Sequence, residues 1–144
     1  MPISWNGVYG QSGNVTFIGR NLVKNIECEV MYKSIYDFCL YTIVNKDFAI
    51  FNIHLDDESY QRRMKQMKEL VELEGLHKHV IIGGDFNQSY RPNSKLYNIK
   101  NYKISNKDCI TYYNEKAINI DNLLIEGFNI DYNKNKTLCP YIPG

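Results

Sequence analysis

Asp85 and Asn87 stand two residues apart, immediately after the apolar run Val80–Ile81–Ile82 and the pair Gly83–Gly84. In extended chain both side chains point to one side. A β-branched run of this kind reads as a strand covered on both faces. The glycines lift the bar on close backbone approach where that strand stops. An acid and an amide delivered together at the carboxyl end of a buried strand is how α/β sheets build active sites. Gly, Asp and Asn are also ordinary turn residues, so the stretch taken alone fits an Asx-type turn equally well.

Two further runs repeat the theme. Phe48 to Leu55 is apolar except for Asn52 and His54, again spaced by two and sharing one side of a strand. A single histidine in a strand is more often structural than catalytic. Ala117 to Ile125 carries Asp121 between Ile120 and Leu123. A carboxylate there must be hydrogen-bonded or paired if buried, or else lie at an exposed strand edge.

The elements that position these groups follow from the hydrophobic pattern. Asp37–Val44 and Phe48–Leu55 read as strands of an antiparallel hairpin around Asn45–Lys46–Asp47. Asp56, Asp57, Glu58 and Ser59 then offer an N-cap and acids for the positive end of a helix. Tyr60, Met64, Met67 and Val71 recur at helical spacing, and Leu70 and Leu73 widen the stripe. Gly75 ends the helix, so residues 60–74 form a crossover between two strands. Strands are also expected at Ile3–Trp5, Asn14–Gly19, Ile26–Tyr32, Asp108–Tyr113 and Ala117–Ile125. Ser94 is placed to cap a short helical turn over Lys95–Ile99, and no final strand is evident after Asn129.

Length and composition set the limits. The 144 residues allow one domain, and 44% apolar with 13% aromatic content describes a globular chain. A net charge of +1 argues against gripping a polyanion by bulk charge, although a local basic patch would not show in the total. Cys28, Cys39, Cys109 and Cys139 lack the spacing of a zinc site, and buried free thiols are the favoured reading. The sequence has neither a signal-peptide core nor a span-length apolar stretch, so an intracellular (cytoplasmic or nuclear) protein is expected.

In chain order, Asn52–Ile53–His54–Leu55, the helix with Arg63 and Gln66, Gly84–Asp85–Phe86–Asn87 and Ile120–Asp121–Asn122–Leu123–Leu124 resemble the endonuclease/exonuclease/phosphatase (DNase I-like) family. The motif style is closest to the branch with tyrosyl-DNA phosphodiesterase 2, deadenylases and neutral sphingomyelinases. The resemblance covers about Phe48 to Phe128 and implies an α/β fold of two packed, mainly antiparallel sheets with outer helices. It implies a Mg2+- or Mn2+-dependent hydrolase of phosphodiesters or phosphomonoesters, with nucleic acid favoured over phospholipid as substrate.

By the same resemblance, Asp85 orients or deprotonates water and Asn87 holds the phosphate. His54 donates to a phosphate oxygen, and Asp121 orients a second histidine. Asn52, Arg63 and Gln66 are supporting positions, and Asn6 imitates a metal-binding asparagine of the first strand. Such chemistry relies on in-line positioning and charge neutralisation more than on covalent help. The metal-binding glutamate of the family and its terminal Ser-Asp-His are not found in the sequence. Residues 1–144 are therefore expected to form a single, incomplete domain with weak or absent metal binding, uncovered apolar faces and marginal stability or self-association. The alternative function is a non-catalytic remnant of the fold that binds nucleic acid or a phosphorylated ligand.

Overall fold

The computed structural model describes residues 2–5, 8–11, 14–19, 21, 28–31, 39–44, 48–75, 77–107 and 110–129. Asn6, Cys109 and Cys139 lie outside the described residues, as does the turn at 45–47. The strands are β1 (Pro2–Trp5), β2 (Val8–Gln11), β3 (Cys28–Met31), β4 (Cys39–Val44) and β5 (Phe48–His54). After helix α1 (Tyr60–Glu74) come β6 (His79–Asp85), β7 (Lys103–Ile104), β8 (Tyr112–Asn114), β9 (Lys116–Ile118) and β10 (Asp121–Glu126). Among the described residues β3-β4-β5-β6-β10-β7 form one six-stranded sheet, while β1-β2 and β8-β9 are separate two-stranded ribbons.

The period switch at Asp56 has the consequence its pattern implies. β4 and β5 pair antiparallel, and β5 and β6 pair parallel with α1 as the crossover between them. A parallel pair needs such a connection because its ends lie at opposite edges of the sheet. Ala49, Phe51 and Ile53 of β5, Val80 and Ile82 of β6, and Leu124 of β10 are buried with Met67 and Leu70 of α1. These side chains alternate with half-buried or exposed ones along each strand, so one face of the sheet carries the core. Sheet and helix supply two layers of the architecture expected from the sequence.

The entry to α1 is fixed by short polar contacts. The Ser59 hydroxyl accepts from the backbone N–H of Arg62, and Asp56 accepts from the N–H groups of Glu58 and Ser59. The Ser59 N–H, aided by Arg62, holds the Asp56 carboxyl below its ordinary range. Ser59→Ala should lower stability by about 1 kcal/mol in urea denaturation, because a helix N–H then loses its cap. No loss would show that Asp56 alone fixes this end.

Several elements differ from their sequence expectation. Residues 14–19 are not a strand: they are bonded to β5 at Asn52, whose Nδ2 donates to the Val15 carbonyl at 2.7 Å and to Thr16 Oγ1 at 3.3 Å. Phe17 is almost wholly exposed there, so alternation without a buried face did not suffice. The expected strand Ala117–Ile125 is broken at Asn119–Ile120, whose carbonyls accept from the Tyr90 and Phe86 N–H groups. Backbone groups used that way cannot extend a ladder. Residues 110–111 likewise precede β8 rather than belonging to it. At Ser94 there is one turn, closed by Asn98 N–H to the Ser94 carbonyl at 3.1 Å. Cys39 is a buried free thiol whose pKa is pushed up to about 12 by burial, in keeping with a structural role.

Candidate active site

Sheet register brings three of the chemically capable residues into one row. His54, the last residue of β5, is level with Asp85, the last of β6. Asp85 is in turn level with Asp121, the first residue of β10. Level residues on neighbouring strands point to the same face, so the row spans two strand spacings, about 10 Å. That face is opposite the α1 core, as the alternation from buried Ile53 to exposed His54 requires. Sites at strand carboxyl ends arise because the backbone there leaves the ladder and can be shaped by loops.

Gly84 makes the row possible. Its φ of +139° is a conformation that side-chain-bearing residues rarely adopt. A Cβ at this position would stand 1.9 Å from the Ile53 carbonyl oxygen. The close approach keeps β5 and β6 paired to their last residues, and the Leu55 N–H still donates to the Asp85 carbonyl at 2.9 Å.

Asp85 and Asn87 form a compact unit. The Asn87 N–H donates to Asp85 Oδ1 at 2.7 Å, and Asn87 Nδ2 donates to the Leu55 carbonyl at 2.7 Å. Asn87 takes a φ of 48°, a left-handed value that asparagine tolerates better than most residues. The Asx-turn reading of this stretch is met by that geometry, which leaves Asp85 Oδ2 free of the turn. Asp85 Oδ2 faces His54 Nε2 at 3.9 Å, too long for a hydrogen bond and within ion-pair range once the imidazole is protonated. With 62% of its side chain exposed, His54 is open to a ligand.

Asp121 is held by a loop that sequence reasoning passed over. Thr111 Oγ1 accepts from the N–H groups of Ile120 and Asp121 at 3.0 and 2.9 Å. Asn106 Nδ2 donates to the Asp121 carbonyl at 2.8 Å, while its Oδ1 accepts from the Leu123 N–H at 3.0 Å. On the core side of the same strand, buried Asn122 donates to the Tyr97 hydroxyl at 2.9 Å. Tyr97 donates onward to the Gln88 carbonyl at 2.6 Å, tying β10 to the loop that follows Asn87. Burial first, then the nearby charges of Asp85 and Asp121, raise the Tyr97 pKa despite the Asn122 bond, so it remains a neutral donor. Only Asn122, inside a motif already singled out, carried any signal in sequence.

Arg63 and Gln66 lie on the α1 side of the turn that follows His54. Gln66 Oε1 accepts from the Asp56 N–H at 2.9 Å, and an Arg63 guanidinium nitrogen donates to the Asp56 carbonyl at 2.9 Å. These contacts fix the strand-to-helix link and do not bring either side chain into the His54–Asp85–Asp121 row. Asn52 shares the His54 side of β5 but spends its amide on residues 15 and 16.

Among the described residues, no group of three or more His, Cys, Asp or Glu side chains could hold a metal ion. Asp85 already spends one carboxylate oxygen on the Asn87 N–H. No helix among the described residues is long and apolar enough to cross a membrane.

No protein-family model matches the chain, and no curated protein matches it. Solved structures are similar over part of it. A functionally unknown conserved protein from Enterococcus faecalis V583 is 18% identical over 62% of this chain, with a TM-score of 0.47. A mannosyl-6-phosphatase from Bacteroides thetaiotaomicron VPI-5482 is 21% identical over 61%, with a TM-score of 0.41. An endonuclease/exonuclease/phosphatase family protein from Bacteroides thetaiotaomicron is 16% identical over 61%, with a TM-score of 0.42. The matched regions span 43%, 42% and 40% of those chains respectively.

Proposed function

We propose that this chain carries the catalytic half-site of a phosphoester hydrolase of the endonuclease/exonuclease/phosphatase type. The observation that supports the reading is the level row of His54, Asp85 and Asp121 across three adjacent strands. In this reading Asp85 Oδ2, the oxygen not engaged by Asn87, orients and deprotonates the attacking water. His54 donates from Nε2 to a phosphate oxygen, and the remaining Asn87 amide hydrogen assists. Asp121, level with Asp85, stands beside it as a further acceptor.

A bound Mg2+ or Mn2+ ion would neutralise charge on the phosphate, and the partial donor set of Asp85, Asp121 and Asn87 gives it weak affinity. Phosphodiesters of nucleic acid are preferred to phospholipid, and the free thiol of Cys39 fits a reducing, intracellular setting in cytoplasm or nucleus. The same partial donor set favours a second reading, a non-catalytic module that binds a nucleic acid or phosphorylated ligand.

Hydrolysis of bis(p-nitrophenyl) phosphate and p-nitrophenyl phosphate in millimolar Mg2+ or Mn2+ separates the two readings. The hydrolase reading expects turnover that Asp85→Ala lowers about a hundredfold, the scale of a lost general base. Turnover indifferent to Asp85→Ala, or none at all, would leave the binding-module reading.

A further inference from the structure

The row of side chains poses an electrostatic difficulty. Asp85 and Asp121 are both carboxylates, and a phosphate approaching them is repelled unless cations stand near. His54 offers charge only when protonated. With an incomplete set of metal donors, much of the anchoring of an anionic substrate must come from other side chains.

Such side chains lie next door. An open groove of about 460 Å3 is lined by Tyr60, Gln88, Ser89, Arg91, Ser94 and Lys95. Gln88 and Ser89 follow Asn87 directly in the chain, so the groove begins one residue from the candidate site. Tyr60 opens α1, the helix on the core face, which places the groove on the helix side of the same strand ends. Arg91 and Lys95 are exposed, and no carboxylate among the described residues pairs with either. The contrast with Arg62 is direct: that guanidinium is taken up by Asp56 at 3.2 Å and by Glu58 at 3.9 Å.

The groove floor is fixed rather than loose. Gln88 Nε2 donates to Ser94 Oγ at 2.9 Å, and the Tyr97 hydroxyl holds the Gln88 carbonyl from beneath. Tyr97 is itself packed on the rings of Phe86 and Tyr90, at 5.0 and 5.2 Å between centroids. Tyr60 belongs to the apolar stripe of α1 in sequence, yet 38% of it remains exposed, unlike Met67 and Leu70. An exposed aromatic ring in a groove also lined by two cations that no carboxylate among the described residues pairs is a surface for a flat ring carrying a phosphate.

We propose that this groove holds the nucleotide next to the scissile phosphate of a single-stranded oligonucleotide. Its phosphate lies between Arg91 and Lys95, and its base stacks on Tyr60. Arginine and lysine neutralise the backbone phosphate, and the aromatic face accepts any base. The size suffices for one nucleotide and not for a folded duplex. Ser89 and Ser94 hydroxyls line the same wall and can serve the sugar or a phosphate oxygen. This assignment rests on the hydrolase reading, because the adjoining phosphate is the one that Asp85 and His54 would meet.

Binding of a 5′-fluorescein oligothymidylate pentamer to the full chain, followed by anisotropy in EDTA, tests the groove without turnover. Wild-type protein should bind. The double variant Arg91→Gln/Lys95→Gln should weaken binding at least tenfold, and Tyr60→Ala about fivefold. Loss of both cations should also flatten the dependence of log affinity on log salt by about 1.4, the contribution of two single-strand phosphate contacts. Thermal melts of each variant should coincide with wild type, as these side chains are exposed. Unaltered pentamer binding in the double variant and in Tyr60→Ala would overturn the groove assignment, and so would no binding by the wild-type chain. A hexose monophosphate competing as well as thymidine monophosphate would overturn the nucleotide. The hydrolase reading fails separately, in the aryl phosphate assay with Asp85→Ala.

Discussion

Gly84→Ala is expected to cost about 4 kcal/mol or more of folding stability, a large share of what a domain of this size possesses. Two causes act together. The residue has a φ of +139°, which an L-residue reaches only with strain. The added Cβ would also stand 1.9 Å from the Ile53 carbonyl oxygen and 2.9 Å from its carbonyl carbon. Those are backbone atoms of β5, and they cannot withdraw without opening the parallel β5–β6 ladder at its carboxyl end. That end carries His54 and Asp85, so relief of the clash would also pull the row apart.

The neighbouring Gly83 is the internal control. A Cβ there meets Leu123 Cδ1 at 3.0 Å, the tip of a flexible side chain that is 37% exposed. Leu123 can turn aside, and Gly83→Ala should change stability by less than about 1 kcal/mol. Urea denaturation of the two variants, followed by circular dichroism, should separate their midpoints widely. Near-equal midpoints would show that the Gly84 approach is not required for pairing.

The sequence pattern reached the β5–α1–β6 crossover because period and composition change together at Asp56. Polar residues in otherwise apolar runs likewise singled out His54, Asp85 and Asp121, and register then put them level. What stayed illegible depends on partners far along the chain. Asn119 and Ile120 look like strand residues, and only the loop 86–90 coming to claim their carbonyls breaks the strand. Thr111 reads as an ordinary alternating position until its hydroxyl is seen beneath two consecutive N–H groups. Tyr60 matched the helical stripe by spacing, yet at the first position of the helix it stays 38% exposed. Arg91 and Lys95 read as loop polarity because a groove has no period. Local pattern reports which face is apolar; which side chains meet at a strand end is decided by register and loop closure.

Lys100→Met should lower stability by about 3 kcal/mol at neutral pH, for a reason set at the other end of the sheet. Glu74 ends α1 with its side chain 1% exposed, where the helix dipole disfavours a negative charge. Lys100 Nζ donates to Glu74 Oε1 and, at 2.6 Å, to Glu126 Oε2 on β10. Breaking a buried pair by removing one partner typically costs about 3–5 kcal/mol, because the remaining charge is left uncompensated. Lys100 keeps 36% of its side chain in water, and that screening puts the loss at the lower end of the range.

The pH dependence follows from the same contacts. Burial acts to lower the Lys100 pKa, but the hydrogen bonds and charges of Glu126 and Glu74 prevail and raise it above the ordinary 10.5. A group whose folded pKa is raised contributes its full stability below the unfolded value and loses it as pH rises through the folded one. Wild-type stability should therefore fall above about pH 10.5, and Lys100→Met should lack that alkaline limb. Adding Glu74→Gln to Lys100→Met removes the stranded charge and should restore much of the loss, a coupling that independent surface residues would not display. Urea midpoints of the four proteins at neutral and alkaline pH measure this directly. Additive losses in the double variant would mean that Lys100 serves the core through its aliphatic stem rather than its charge.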